Sequence, residues 1–336
     1  MRVGFALLIA IRAVSANPEA EAKQPADCGT SIEPRKPDPD AKYGYIHEII
    51  GKDGALLISL LRSPDRFDYS SAKLKEAGII ANQFPAADGY CDSEEDIERG
   101  CFLNGDQAKN DAIKDQCKAK QGWGWGCDGM PTAACAESHH RALQVAQHRK
   151  HNWTLIMEDD AVPLEPAAWQ ENFKEAWQKV PGWAKLVRLG WCTFPVDVNL
   201  PLLPVQPRNV PEIMEETGKF KLIRQITTGS HPGQIGTPPP PKYDAGLCTT
   251  AYMIHREAVT DMLGVFPCCC GMDCCMGQSL INLPMEPGGQ TWGFKRMVSI
   301  DMSNSTESTI GWNKHPYMYQ YGALVQDNRP LKTVRD

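Results

Sequence analysis

The stretch Thr154-Leu155-Ile156-Met157-Glu158-Asp159-Asp160 constrains this chain more than any other. Four residues suited to a buried strand run straight into three consecutive carboxylates. A short apolar run of this kind fits an interior strand of a sheet covered on both faces. Three acids at its end repel one another unless they are solvated or a cation sits among them. In open α/β sheets, ligands bind just beyond the carboxyl ends of the strands. The triplet is therefore a candidate metal site, with oxygen donors suited to Mg²⁺, Mn²⁺ or Ca²⁺. A solvated acidic turn is the plain alternative.

The preceding chain supplies a partner strand. Residues 55–61 (ALLISLL) read as a second buried strand, ending at Arg62-Ser63-Pro64-Asp65-Arg66. Ser63 can cap a helix, Pro64 suits its first turn, and Asp65 complements its positive end. Gly78 suits the residue after the helix. Residues 79–86 read as the next strand, closing at Asp88-Gly89. This is a βαβ unit, the building block of a mostly parallel sheet.

Residues 90–130 break the pattern. Cys91, Cys101, Cys117 and Cys127 suggest an insertion stapled by two disulfides among themselves, with three connectivities open. The run Gly122-Trp123-Gly124-Trp125-Gly126 is either a platform for a sugar ring or a loop packed on itself. A helix is expected from Thr132 to about Arg149, with Cys135, Ala142, Leu143 and Ala146 as its apolar stripe. Another is expected over 165–179, where Trp169, Phe173 and Trp177 share one face. Strands are expected at 185–189 and 249–254, the second followed by a helix from Arg256. Residues 195–245 read as a proline-rich excursion with one strand at 220–226. The run Cys268-Cys269-Cys270-Gly271-Met272-Asp273-Cys274-Cys275 would have to pair with other elements, and lacks the spacing of a thiolate metal cluster.

Composition narrows the function. The 336 residues carry a net charge of −6, which gives no electrostatic case for nucleic acid or an anionic membrane. Residues 3–11 are apolar and small residues follow at Val14 and Ala16, the pattern of a signal peptide over 1–16. Residues 17–50 read as a polar leader, and the folded domain is expected over 51–330. No later run is long enough to span a bilayer. Thirteen cysteines point to an oxidising compartment, and the secretory pathway (ER or Golgi lumen) or release from the cell is expected. Sequons stand at Asn152 and Asn304.

In order along the chain, four blocks resemble glycosyltransferase family 25, which includes bacterial lipooligosaccharide and animal procollagen galactosyltransferases. The blocks are Ile58-Ser59-Leu60 with Arg62, Asp65 and Arg66, closing at Ala86-Ala87-Asp88-Gly89; Cys135-Ala136-Glu137-Ser138-His139; Glu158-Asp159-Asp160; and Thr250-Ala251-Tyr252-Met253-Ile254 with Ala258 and Asp273. The resemblance covers about residues 55–310. It departs in the cysteine insertion, in the proline-rich excursion, and at Ala134, where the family often has glycine.

The resemblance implies an α/β fold of the GT-A kind, a Rossmann-like, mostly parallel sheet with helices on both faces. It implies a UDP-sugar donor, usually UDP-galactose, and Mn²⁺- or Mg²⁺-assisted transfer with inversion to a glycan or protein acceptor. Asp160 is then the expected direct metal ligand. Glu158 is the second, because alternate residues of an extended strand share a side. Asp159, Asp88, Arg62 and Arg66 are candidates for donor binding, and Ser138, His139 and Tyr252 for supporting roles. Asp273 is the candidate base, with Asp301 and Glu307 as alternatives. Two other readings remain: a non-catalytic nucleotide-sugar- or glycan-binding relative, and a metal-dependent hydrolase. The hydrolase would need histidine ligands or a second carboxylate cluster.

Overall fold

The structure is a computed structural model. It describes Cys28 and residues 33–37, 39–103, 111–113, 115–117, 126–127, 129–193, 208–228, 247–272, 275–276, 281–284, 291–294, 297–302 and 319–326. The expected signal peptide, Gly122 to Trp125 of the glycine-tryptophan run, the sequon at Asn304, and Asp273 and Glu307 lie outside the described residues.

The βαβ unit forms as the pattern predicts. Strand β1 (Ala55–Ser59) is buried along its length. Helix α2 (Pro64–Glu76) begins at its proline, and Gly78 turns the chain with φ +71°. Strand β2 (Asn82–Pro85) returns parallel to β1, with Leu56 opposite Asn82. The short helix α3 (Glu94–Ile97) follows, capped by Ser93. Helix α4 (Met130–His148) then leads into β3 (Trp153–Glu158), which lies parallel to β1 on the other side. Gly100 lets the end of the α3 turn press on α4, since a Cβ there would stand 2.1 Å from Glu137 N.

The rest of the sheet corrects the mostly parallel expectation. Strand β8 (Leu247–His255) pairs antiparallel with β3 on one side and with β5 (Leu186–Thr193) on the other. Beyond β5 lie β11 (Met297–Asp301), parallel to it, and then β7 (Lys221–Thr228), β10 (Thr291–Phe294) and β9 (Ile281–Pro284), each antiparallel to its predecessor. Strand β12 (Tyr319–Gly322) adds to β5 and β6 (Arg208–Glu216) to β7. The result is a mixed sheet of eleven strands. A parallel pair needs a crossover, whereas β6 and β7 are joined by residues 217–220 alone, which permits only an antiparallel hairpin. A separate ribbon joins β4 (Ala161–Pro163) to β13 (Leu324–Gln326).

Alternation along β1 and β3 divides the core. Leu56, Ile58 and Ile156 pack under α4 and α6 (Arg256–Leu263), against Leu143, Val259 and Met262. Ala55, Leu57, Leu155 and Met157 pack on the other face, against α1 (Ile46–Ile50), α2 and α5 (Trp169–Trp177). Helices therefore cover both faces, as expected.

Four sequence expectations change. The polar leader ends earlier than residue 50: Ile46 and Ile50 of α1 are fully buried, and Gly44 N donates to Gly78 O at 2.8 Å. Apolar residues four apart give this five-residue helix one buried side. The insertion is not closed on itself. Cys101 pairs with Cys127, but Cys91 reaches back to Cys28 and Cys117 reaches forward to Cys269. Cys268 pairs with Cys275 inside the same run, where only pairing with other elements was expected; seven residues leave room for the chain to turn back on itself. The proline-rich excursion holds two strands rather than one, because Pro211 lies within β6, and β6 borders only β7 along the described path.

Candidate functional site

The carboxyl ends of the parallel strands β1 and β3 lie side by side, with Ile58 opposite Glu158. Antiparallel β8 starts at that same end, which brings Thr249 beside Glu158. Four elements thus meet there: β1 and β3 by their ends, β8 by its start, and α4 by its middle.

The strand ends at Glu158, and Asp159 and Asp160 form a turn. The rule that alternate strand residues share a side stops at that point. Asp159 faces α2, where Arg66 Nε donates to its Oδ1 at 2.9 Å and Ser70 Oγ donates to its main-chain oxygen at 2.5 Å. Asp160 Oδ2 lies 3.9 Å from the same guanidinium, so Asp160 also leans toward α2. Burial raises the Asp159 pKa above its ordinary value, and the Arg66 charge only partly offsets that rise.

Glu158 faces the other way, toward α4. His139 Nε2 lies 3.3 Å from Glu158 Oε1, and Thr249 Oγ1 donates to the same oxygen. His139 is fully buried, and its Nδ1 lies 3.0 Å from the Tyr252 hydroxyl, itself buried on β8. The chain Tyr252–His139–Glu158 thus crosses from sheet to helix and back to the strand end. Burial alone would raise the Glu158 pKa. The His139 ring, the Thr249 hydroxyl and the Arg66 charge outweigh it and hold the carboxyl below its ordinary value. Tyr252 is pushed well above the usual phenol range, first by burial and then by the nearby Glu158 and Cys135.

Arg62 binds Asp88 with both Nε and Nη2, the latter at 3.3 Å, and its guanidinium lies over the Tyr90 ring. Ser138 does not face the acids. Its hydroxyl accepts from Ala87 N at 2.9 Å and donates to Ala134 O at 2.7 Å, tying α4 to the turn after β2.

The structure thus gathers Glu158, Asp159, Asp160, Arg66, His139 and Tyr252. It sets Arg62 and Asp88 as a separate ion pair and gives Ser138 a packing role. Asp273 lies outside the described residues. Asp301, the alternative base, is buried at the end of β11. Sequence reasoning missed three contributors. Thr249 carries no signal of its own, and Ser70 is one of several helical serines. Cys135 was read as part of an apolar stripe, yet it stands four residues before His139, the spacing that places two side chains on one helical face.

Searches against models of known protein families and against curated proteins return no match.

Proposed function

We propose that the chain is a glycosyltransferase that moves a sugar, galactose from UDP-galactose in the first instance, to an acceptor hydroxyl with inversion. The observation that carries this reading is the acidic triplet at the carboxyl ends of β1 and β3, with the cation Arg66 against two of its members. Such strand ends are where open α/β sheets bind their ligands.

Asp160 offers a carboxylate oxygen of the kind that Mn²⁺ and Mg²⁺ prefer, while Asp159 is engaged by Arg66. Glu158, expected to share the metal, turns to His139 and Thr249 instead, because the strand stops before Asp160 could point with it. When bound, such a cation neutralises the charge of a leaving diphosphate. The protein's own groups do the remaining work in this reading. Arg66 lowers the repulsion within the triplet and fixes the turn. His139 and Thr249 orient Glu158. Arg62, in the turn after β1, would exchange part of its pairing with Asp88 for a donor phosphate. Asp273 would take the proton from the acceptor hydroxyl. The disulfides favour a lumenal or secreted site of action, and a glycan or protein acceptor is consistent with it.

The test is a donor screen with purified protein, Mn²⁺ and several nucleotide sugars, reading free nucleotide. Turnover with at least one donor is expected. Asp160→Asn, which keeps shape and removes charge, should lower it by a factor on the order of 10² or more. No turnover with any donor, or an unchanged Mn²⁺ dependence in the variant, sinks the reading.

A second reading is favoured by the engagement of both arginines with acids. A non-catalytic relative would bind nucleotide sugar or glycan and leave it intact. Saturable UDP binding without turnover in the same screen would establish it.

A further inference from the structure

We propose that Cys135, His139 and Glu158 form a zinc site where the middle of α4 meets the end of β3. Their ligand atoms all lie within 4.8 Å of one another, and among the described residues they are the group of metal-binding side chains that converges in this way. The inference does not depend on sugar transfer, since it concerns a different cation and a donor set that leaves out Asp160 and shares only Glu158 with the acidic triplet.

The donors are one thiol, one imidazole and one carboxylate, each a normal zinc ligand. Cys135 and His139 are four apart on α4 and so project from one helical face. Glu158 approaches from the end of β3. With zinc–nitrogen and zinc–oxygen bonds of about 2.0–2.2 Å, neighbouring corners of a tetrahedron stand about 3.3–3.5 Å apart. The 3.3 Å between His139 Nε2 and Glu158 Oε1 already matches that edge. An edge to sulfur is about 3.6 Å, so Sγ needs to close by no more than about 1.2 Å.

The outer support is present as well. A zinc-bound histidine usually gives its other ring N–H to a fixed acceptor, which sets the tautomer. The Tyr252 hydroxyl, 3.0 Å from Nδ1, stands in that position. Thr249 holds the carboxylate from the other side. Cys135 stands outside the disulfides that link most of the other described cysteines, so its sulfur can serve as a soft ligand. On binding, the thiol releases its proton to water. The imidazole proton moves to Nδ1, where the tyrosine oxygen accepts it. Three protein ligands leave a fourth position for water, and the partial exposure of Cys135 and Glu158 gives solvent a path.

Co²⁺ is the probe, titrated into the full oxidised chain after chelator treatment and followed by absorption. One equivalent should bind, with a thiolate-to-cobalt band in the near ultraviolet and strong tetrahedral bands in the visible, both bleached by Zn²⁺. Cys135→Ala should lose the near-ultraviolet band and bind at least about tenfold more weakly, while melting like the wild type in chelator. Zn²⁺ should also shield Cys135 of the unaltered chain from alkylation, a readout that does not require a variant to fold. The proposal is overturned by absence of the near-ultraviolet band, or by its survival in Cys135→Ala. A weak six-coordinate spectrum removed by Asp160→Asn overturns it too, and would leave the transferase reading intact. Donor turnover is measured separately, so either proposal can fail alone.

Discussion

The two faces of the sheet are built by different means. On the face covered by α1, α2 and α5, large side chains do the packing. Trp169 and Phe173 are fully buried with ring centroids 4.8 Å apart, and the stack continues through Trp177 to Trp153. On the face covered by α4, the helix presents Ala133, Ala134, Ala136, Ala142 and Ala146, with Leu143 as its one large buried aliphatic. That face carries the Tyr252–His139–Glu158 chain, and its far margin is cross-linked by disulfides. Small residues bring the helix close to the sheet, which sets polar groups of helix and strand within hydrogen-bond reach. They also bury less apolar area per residue, and covalent links make up part of that difference. The aromatic face packs the more apolar bulk, while the α4 face carries the Glu158 half of the candidate site and Asp159 and Asp160 turn back toward α2.

The largest test of this contrast is Trp169→Ala. It empties the centre of the aromatic face and removes the indole donor to Ala323 O. A loss of about 3–5 kcal/mol in urea unfolding is expected; a loss near 1 kcal/mol would mean that this face is not the stable one. On the opposite face, replacing Cys117 and Cys269 together by alanine should cost about 2–5 kcal/mol. A double variant as stable as the parent would show that the alanine-rich face stands without its link. Tyr252→Phe should cost about 1–3 kcal/mol, because it leaves a nitrogen of the buried His139 without its partner. Calorimetry of this variant would sharpen the contrast by separating hydrogen bonding from packing.

The smallest effect expected is a pH dependence at His47, on the aromatic face. Its Nε2 accepts from Ile80 N at 2.9 Å, so Nδ1 carries the proton and donates to Gly51 O at 3.0 Å. Burial lowers its pKa, with the Gly51 carbonyl working the other way. The folded state thus prefers the neutral ring. This contribution is complete above the ordinary histidine value of about 6.5 and is lost as pH falls through the lowered folded value. His47→Gln should flatten the melting profile in that window; an unchanged profile would place the titrating group elsewhere.

Much of this was legible where one periodicity ran unbroken. The apolar runs of β1 and β3 and the proline start of α2 identified the βαβ unit, and the acids after Met157 marked the end of the strand. Legibility failed where the deciding partner is distant. Nothing near Cys117 indicates Cys269, and nothing near Thr249 indicates Glu158. It failed again where an element is short, as in α1, or carries a residue that disfavours strands, as Pro211 does in β6. Within the site, the acids were found because charge after an apolar run is conspicuous. The diverging directions of Glu158 and Asp159–Asp160 depend on where the strand stops, which one residue of register decides.

The link between Cys117 and Cys269 spans 152 residues. Chains emerge from the ribosome at about 5–20 residues per second, so Cys117 waits roughly 8–30 s before its partner exists. Cys127, by contrast, follows Cys101 after only 26 residues. During synthesis Cys28, Cys91, Cys101, Cys117 and Cys127 are all present before any cysteine of the 268–275 run. With Cys135, Cys192 and Cys248, eight thiols precede that run, so the Cys28–Cys91 and Cys101–Cys127 bonds must form among competitors while Cys117 waits for Cys269. The order of emergence therefore favours transient wrong pairs, and a thiol–disulfide isomerase acting late in synthesis would set the yield of correctly linked chains.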